Sequence, residues 1–266
     1  MNKSTEHFQS SGTRVLVALD DAAGGGAALE AAARLAADLR AELRGLFIED
    51  IDAVRAANLP FVTEIAIASA TARPLDTRSI ERALRQKAAL VRTRMGRLAE
   101  QAHVTWSFAV ARGRVTQRVL ADATESDVVI LGPRGHAPAA QPPTQDTGRR
   151  RTWSVATVFD GTQRACETLT TAAIVAQHLD GPVDVLVYAP DRSTGCRRQL
   201  DAIQWLAHHG PGATAWATIV GTPAEVQEAA RGRAHYLLLL ARDCSLLADV
   251  TVQWLVENLG CTIGLM

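Results

Sequence analysis

Laid onto itself with a shift of 140 residues, the chain matches without a gap. Val15 falls on Val155, Asp20 on Asp160, Leu29 on Leu169, Ala36 on Ala176, Leu39 on Leu179 and Leu46 on Leu186. Each matched stretch is an apolar run ending in Asp, then apolar positions spaced three and four apart, then a second apolar run. That pattern reads as strand, helix, strand. An alanine-rich chain produces a few alanine matches by chance, but not two aspartates and four strands in step. The sequence is an internal duplication. Strands that alternate with helices call for right-handed crossovers and a parallel sheet in each half.

The later parts of the halves correspond at a shift of about 108, with Gly113 on Gly221. The smaller shift implies an insert in the first half, assigned to residues 50–77. Leu59, Pro60, Phe61, Arg73 and Pro74 there suggest a short helix and a surface excursion. In the first half the pattern predicts strands at 15–19, 43–48, 105–111 and 128–131, with helices at 26–39, 78–101 and 115–124. In the second it predicts strands at 154–159, 183–188, 213–220, 236–240 and 261–265, with helices at 166–178, 197–209, 223–230 and 247–259. Gly260 reads as the stop of the last helix. The first half has no counterpart to that final helix and strand. Pro138, Pro142 and Pro143 instead make a linker of the stretch after Gly135. The expected fold class is α/β, with two open parallel-sheet, Rossmann-like domains in tandem and the first lacking its last helix and strand. The boundaries are a flexible N-terminus at 1–13, a first domain at 14–135, a Pro/Arg-rich linker at 136–152 and a second domain at 153–266. The repeat predicts that the halves pack as a pseudo-twofold pair, with the final strand at a sheet edge or paired across the interface.

Charge narrows the function classes. Lys+Arg and Asp+Glu both number 28, so the net charge is zero. Nucleic-acid binding, which draws its affinity from phosphate neutralisation, is not expected. The cluster Arg149–Arg151 is read as a solvated loop. The four cysteines form no CxxC pair and imply no metal, which fits reduced thiols in a cytoplasmic protein. Residues 1–13 are polar, without the apolar core of a signal peptide. The longest apolar run is too short to cross a bilayer, so no membrane association is expected.

The chemistry concentrates at strand ends. Asp20 follows one apolar run, and Gly132 and Gly135 follow another. In an open parallel sheet the carboxyl ends of strands border the ligand crevice. Asp20 fits a ribose contact or a helix cap equally well. Gly24–Gly26 lack the pattern of a phosphate loop and read as a lead into the helix. Trp205, Trp216 and Trp254 read as core or interface residues. No nucleophile–base pair stands at a recognisable spacing, so the protein is not expected to be an enzyme.

These residues resemble a known family. Val15–Asp20, Ala28 and Leu29, the run from Leu46 to Asp50, and Val129 to Gly132 with Gly135 are similar to the strands and motif of universal stress proteins in a tandem arrangement. The resemblance implies a role in the stress response and ATP, or another adenine nucleotide, as the ligand. Members that bind ATP use an Asp after the first strand and the motif Gly-x2-Gly-x9-Gly-Ser/Thr after the fourth. By that resemblance Ala18 and Asp20 would flank the ribose, and Phe47 would lie at the adenine, mostly through its backbone. Leu131, Gly132, Arg134 and Gly135 would form the first part of the phosphate site. The chain departs from the motif. Gly148 follows Gly135 after twelve residues and precedes Arg149, and residues 239–244 contain no glycine. Nucleotide binding is therefore expected to be weak or lost, with a first-domain ATP site as the alternative. A protein partner or a homo-oligomer is the other implied association.

Overall fold

The computed structural model describes residues 13–19, 25–50, 55, 63–66, 71–74, 77–113, 128–132, 154–212, 214–232 and 235–266. The first half contains β1 (Arg14–Leu19), α1 (Gly25–Asp38), β2 (Glu42–Asp50), β3 (Thr63–Ala66), β4 (Thr71–Pro74), α2 (Thr77–Gln101), β5 (Trp106–Gly113) and β6 (Val128–Leu131). The second contains β7 (Ser154–Phe159), α3 (Gln163–His178), β8 (Val183–Tyr188), α4 (Arg192–His209) and β9 (Ala215–Val220). It continues with α5 (Pro223–Gly232), β10 (His235–Leu240), α6 (Leu246–Asp249), α7 (Val252–Asn258) and β11 (Thr262–Leu265). The expected helix at 115–124 and the linker at 136–152 lie outside the described residues.

The duplication is visible in the pairing. Val15 stands opposite Leu43 between β1 and β2, and Val155 stands opposite Val183 between β7 and β8, the same register 140 residues on. The turns after the matching helices agree as well. Arg40 (φ 51°) and Asp180 (φ 53°) both take the left-handed conformation. The next amide donates back to the carbonyl of Ala36 in one half and of Ala176 in the other. This arrangement closes a helix C-terminus.

The two sheets expected from the repeat are joined into one. Nine strands run in the order β5-β2-β1-β6-β11-β10-β7-β8-β9. Every pairing is parallel except β6 with β11, where Ile263 faces Leu131 and Leu265 faces Val129. The final strand thus pairs across the junction. Among the described residues the first half contributes four strands to this sheet and the second five. Gly264 lies in the junction, and a Cβ there would stand 2.5 Å from Leu239 Cδ2 and 3.0 Å from Ile130 Cδ1. Glycine lets the two halves approach this closely.

Helices cover both faces. Leu29, Leu35, Met95, Leu169 and Val175 share one buried cluster, and Leu246, Leu255 and Val256 share the other. The C-terminal ends of α1 and α3 meet at Asp38 Oδ1 and His178 Nδ1, 2.8 Å apart. Burial raises the Asp38 pKa above its ordinary value against the opposing pull of His178.

Several boundaries differ from the sequence reading. The insert holds an antiparallel ribbon in which Thr63 pairs with Pro74 and Ala66 with Thr71. Its residues lack the alternation that signals a strand. The expected helix at 247–259 is two helices, because extended backbone at Val250 ends α6 and the Thr251 hydroxyl caps α7 at the Trp254 amide. Gly260 follows α7 with φ 67°, the expected helix stop. Helix α4 starts five residues before the predicted 197, because Asp191 caps it through the Thr194 amide. Trp216, expected in a core or interface, is 53% exposed. Trp205 is half-buried and donates to Thr170 Oγ1, stacked on His209.

Candidate functional site

The carboxyl ends of β2, β1 and β6 lie side by side. Ala18 pairs with Leu46 on one side and Leu131 on the other, and Leu19 pairs with Phe47. This brings together Ala18, Phe47, Leu131 and the half-buried Gly132 from positions far apart in sequence. The Phe47 side chain is fully buried among the α1-side core, whereas Ala18 and Leu131 belong to the opposite cluster. Any ligand at this crevice would meet Phe47 through its backbone. Asp20, Arg134 and Gly135 lie outside the described residues.

A charged wall stands beside these strand ends. Glu49 is buried, and its carboxylate accepts a 2.6 Å bond from Arg112 on the edge strand β5. Arg112 also reaches Glu81 of α2 at 3.3 Å. Glu49 and Arg112 stand opposite each other in the β2–β5 register. The sequence signalled neither as a pair, because strand pairing alone sets them side by side.

In the second half the matching position is occupied by the protein's own groups. Asp160 follows β7 and is 3% exposed. Its Oδ1 accepts from the Thr162 amide (3.2 Å) and hydroxyl (2.9 Å), and its Oδ2 from the Ser245 amide (2.7 Å). Burial acts to raise the Asp160 pKa, but the bonds from Ser245 and Thr162 outweigh it and hold the carboxyl below its ordinary value. Thr162 in turn caps α3 at the Ala165 amide. Cys244 is buried next to Asp160, and burial pushes its thiol up to about 12. Leu246 is fully buried under the same loop. Tyr188, at the end of β8, donates its hydroxyl to Asp249, and burial with that carboxylate raises its pKa to about 12.

The amino ends of the second-half strands hold another buried polar group. Ser154 Oγ lies 2.8 Å from His235 Nδ1, and Asp184 Oδ2 lies 3.4 Å from that same nitrogen. No sequence spacing signals this contact, because β7, β8 and β10 bring together residues distant in the chain. The geometry is not that of an activated serine. A triad needs the base to hold the hydroxyl with one ring nitrogen and the acid with the other. Here both meet Nδ1, and all three residues are buried.

Among the described residues, no group of three or more His, Cys, Asp or Glu side chains could hold a metal ion. No described helix is long and apolar enough to cross a membrane.

No protein-family model matches the sequence, and no curated protein matches it significantly. Solved structures do. A universal stress protein from Archaeoglobus fulgidus DSM 4304 is 12% identical, with a TM-score of 0.52 over 97% of this chain and 98% of its own. A protein from Pseudomonas aeruginosa UCBPP-PA14, provisionally classed as a universal stress protein, is 11% identical. Its TM-score is 0.50 over 96% of this chain and 93% of its own. The chain shares the fold of universal stress proteins.

Proposed function

We propose that this chain is a non-enzymatic regulatory binding protein of the universal stress protein type, acting in the cytoplasm in the stress response, with weak or lost nucleotide binding. The observation that carries the reading is the Asp160 carboxylate, whose two oxygens are already bonded to Ser245 and Thr162. A ribose hydroxyl would have to reach a carboxylate that is only 3% exposed and already held by the protein's own donors. The second half then serves as a structural partner of the first. In the first half the sequence lacks the closing Gly-Ser/Thr, and with it donors that would hold phosphate at a helix start. Titration calorimetry with ATP tests the reading. Binding weaker than micromolar, short of about −8 kcal/mol, is expected.

A first-half ATP site is the second reading. It is favoured by the adjacency of Ala18, Leu131 and Gly132 at the strand ends. Micromolar binding that Asp20→Ala abolishes would establish this alternative. Unchanged binding in Asp20→Ala would place the nucleotide elsewhere.

A further inference from the structure

We propose that the chain pairs with a second copy of itself along β9, with the two β9 strands antiparallel and the two α4 helices side by side. The inference is independent of the nucleotide reading. Among the described residues β9 is the last strand of the sheet and is strand-paired to β8 alone. Val183 donates to the Thr214 carbonyl, and Ala189 to that of Val220. Backbone groups alternate in direction along a parallel strand, so the peptide groups of Ala215, Ala217 and Ile219 face away from β8. Gln199 of α4 reaches one of them, the Ala217 carbonyl, at 3.2 Å. That oxygen keeps a second lone pair. The two edges of the sheet are guarded unequally. Strand β5, at the other end, carries Arg112, paired with Glu49 and Glu81. Strand β9 reads AWATIV, with no charge, no proline and an unbroken register to β8. An edge without those protections is a template for another strand.

Helix α4 supplies a second layer that faces the same way. Cys196, Leu200, Ile203 and Ala207 are exposed and recur at spacings of four, three and four, the seam of a helix pair. Leu200 is 60% and Ile203 51% exposed. On a helical projection this stripe lies opposite Trp205, whose indole bonds Thr170 of α3. It therefore points away from α3 and outward past β9. Helix α4 rests on both outer strands. Arg198 donates to the Tyr188 carbonyl at the end of β8, and a Cβ on Gly195 would stand 2.5 Å from Ile219 Cγ2 of β9. Strands are spaced about 4.8 Å apart. A twofold axis beside β9 thus sets the two α4 axes about two strand spacings apart, within the roughly 8–10 Å of packed helices.

The same contacts set the register. Gly195 stands over Ile219 and Gln199 over Ala217, so an axis at Ala217 passes beside Leu200. Ala217 then exchanges both backbone bonds with Ala217 of the second copy. Trp216, 53% exposed, comes to lie across from the second copy's Thr218, an aromatic against a β-branched residue. In the helix layer Leu200 meets Leu200, and Cys196 meets Ile203. Arg197 and Asp201 are exposed on one flank of the stripe, on opposite sides of the axis, so each faces its opposite charge in the second copy. The surface is self-complementary in backbone, apolar stripe and charge, as a twofold interface requires. A lone strand of another protein would pair with β9 and leave the stripe on α4 uncovered.

Sedimentation velocity of the full chain between ~1 and ~100 μM tests the proposal. A concentration-dependent shift to twice the chain mass is expected. Leu200→Glu sets two carboxylates face to face on the axis and should weaken the dimer at least about tenfold, whereas Leu90→Glu on α2 should not. Circular dichroism verifies folding. In the dimer, hydrogen exchange at the amides of 215–219 should slow as concentration rises, which a contact through α4 alone would not produce. Ile203→Cys, oxidised with copper phenanthroline, should cross-link to Cys196 of the second copy and lose the link when Cys196→Ser is added. Within one helix those positions are about 10 Å apart, too far for a bridge. A dimer indifferent to Leu200→Glu, or no cross-link from Ile203→Cys, overturns the proposal. So does a chain that stays monomeric at ~100 μM, which would leave the β9 edge to a strand of another protein.

Discussion

The two crevices at the carboxyl ends of this sheet descend from one plan and differ in what fills them. In the second half Asp160 is bonded to Thr162 and to the loop at Ser245, and Tyr188, Cys244 and Leu246 share one buried cluster. In the first half Gly132 follows β6 at the place where Ala241 follows β10 with its side chain fully buried. A glycine leaves room for a ligand to approach the backbone. A loop that folds over its own aspartate converts the same position into a structural contact.

This contrast can be broken at Asp160. Asp160→Ala leaves the Ser245 and Thr162 amides without their acceptor in a buried place and should cost about 3 kcal/mol of stability. A urea midpoint comparison reads it, and ATP titrations should show no change. A stability loss under about 0.5 kcal/mol would mean that the loop is not held by this residue.

Slightly smaller is the effect expected at the seam. Gly264→Val places methyls against Leu239 and Ile130 in the middle of the sheet. Overpacking of this kind costs about 1–3 kcal/mol. Thermal unfolding should show a lower midpoint and, if the halves separate first, two transitions instead of one.

Acid sharpens the comparison further. The Asp160 pKa is lowered in the folded protein, so its contribution is present above the unfolded value and is lost as pH falls through the folded one. The destabilisation by Asp160→Ala should therefore be full at pH 7 and shrink progressively below about pH 4, the ordinary carboxylate range. A penalty that stays constant to lower pH would contradict the assignment.

The smallest effect concerns the contact between α1 and α3. The Asp38 pKa is raised, chiefly by burial, and its Oδ2 is buried with no hydrogen-bond partner among the described residues. A carboxyl whose folded pKa is raised disfavours the folded state once pH exceeds the unfolded value. Asp38→Asn should accordingly unfold at an equal or slightly higher temperature at pH 8. A clear drop in midpoint would show that the His178 contact outweighs the burial.

Much of the fold was legible in residues alone. The apolar runs that became β1, β2, β6, β7, β8 and β10 were readable because strands buried on both faces are almost wholly apolar. Helix α2 was readable because its apolar positions keep the helical period over 25 residues. The ribbon of β3 and β4 was not readable, since short polar strands carry little periodic signal. The break between α6 and α7 was hidden for a related reason: Val250 and Thr251 fit a helix by pattern, and only the Thr251 cap marks a new start. At the candidate site, strand pairing sets Ala18 beside Leu131, two positions that the family resemblance had named. The Glu49–Arg112 pair and the Ser154–His235–Asp184 contact were invisible. No spacing in the chain relates residues that meet only through strand order.

The sequence by itself determined the duplication, the alternation of strand and helix, and the acid that ends the first strand of each half. Those are local facts, written in periodicity and in a repeat that preserves it. Tertiary structure alone decided that the two layers are a single sheet, because the β6–β11 pairing is a backbone contact between segments separated by more than a hundred residues. It also decided the fate of Asp160. A carboxylate is an acceptor wherever it stands, and whether it meets a ligand or an amide depends on which loop the fold brings within about 3 Å of it.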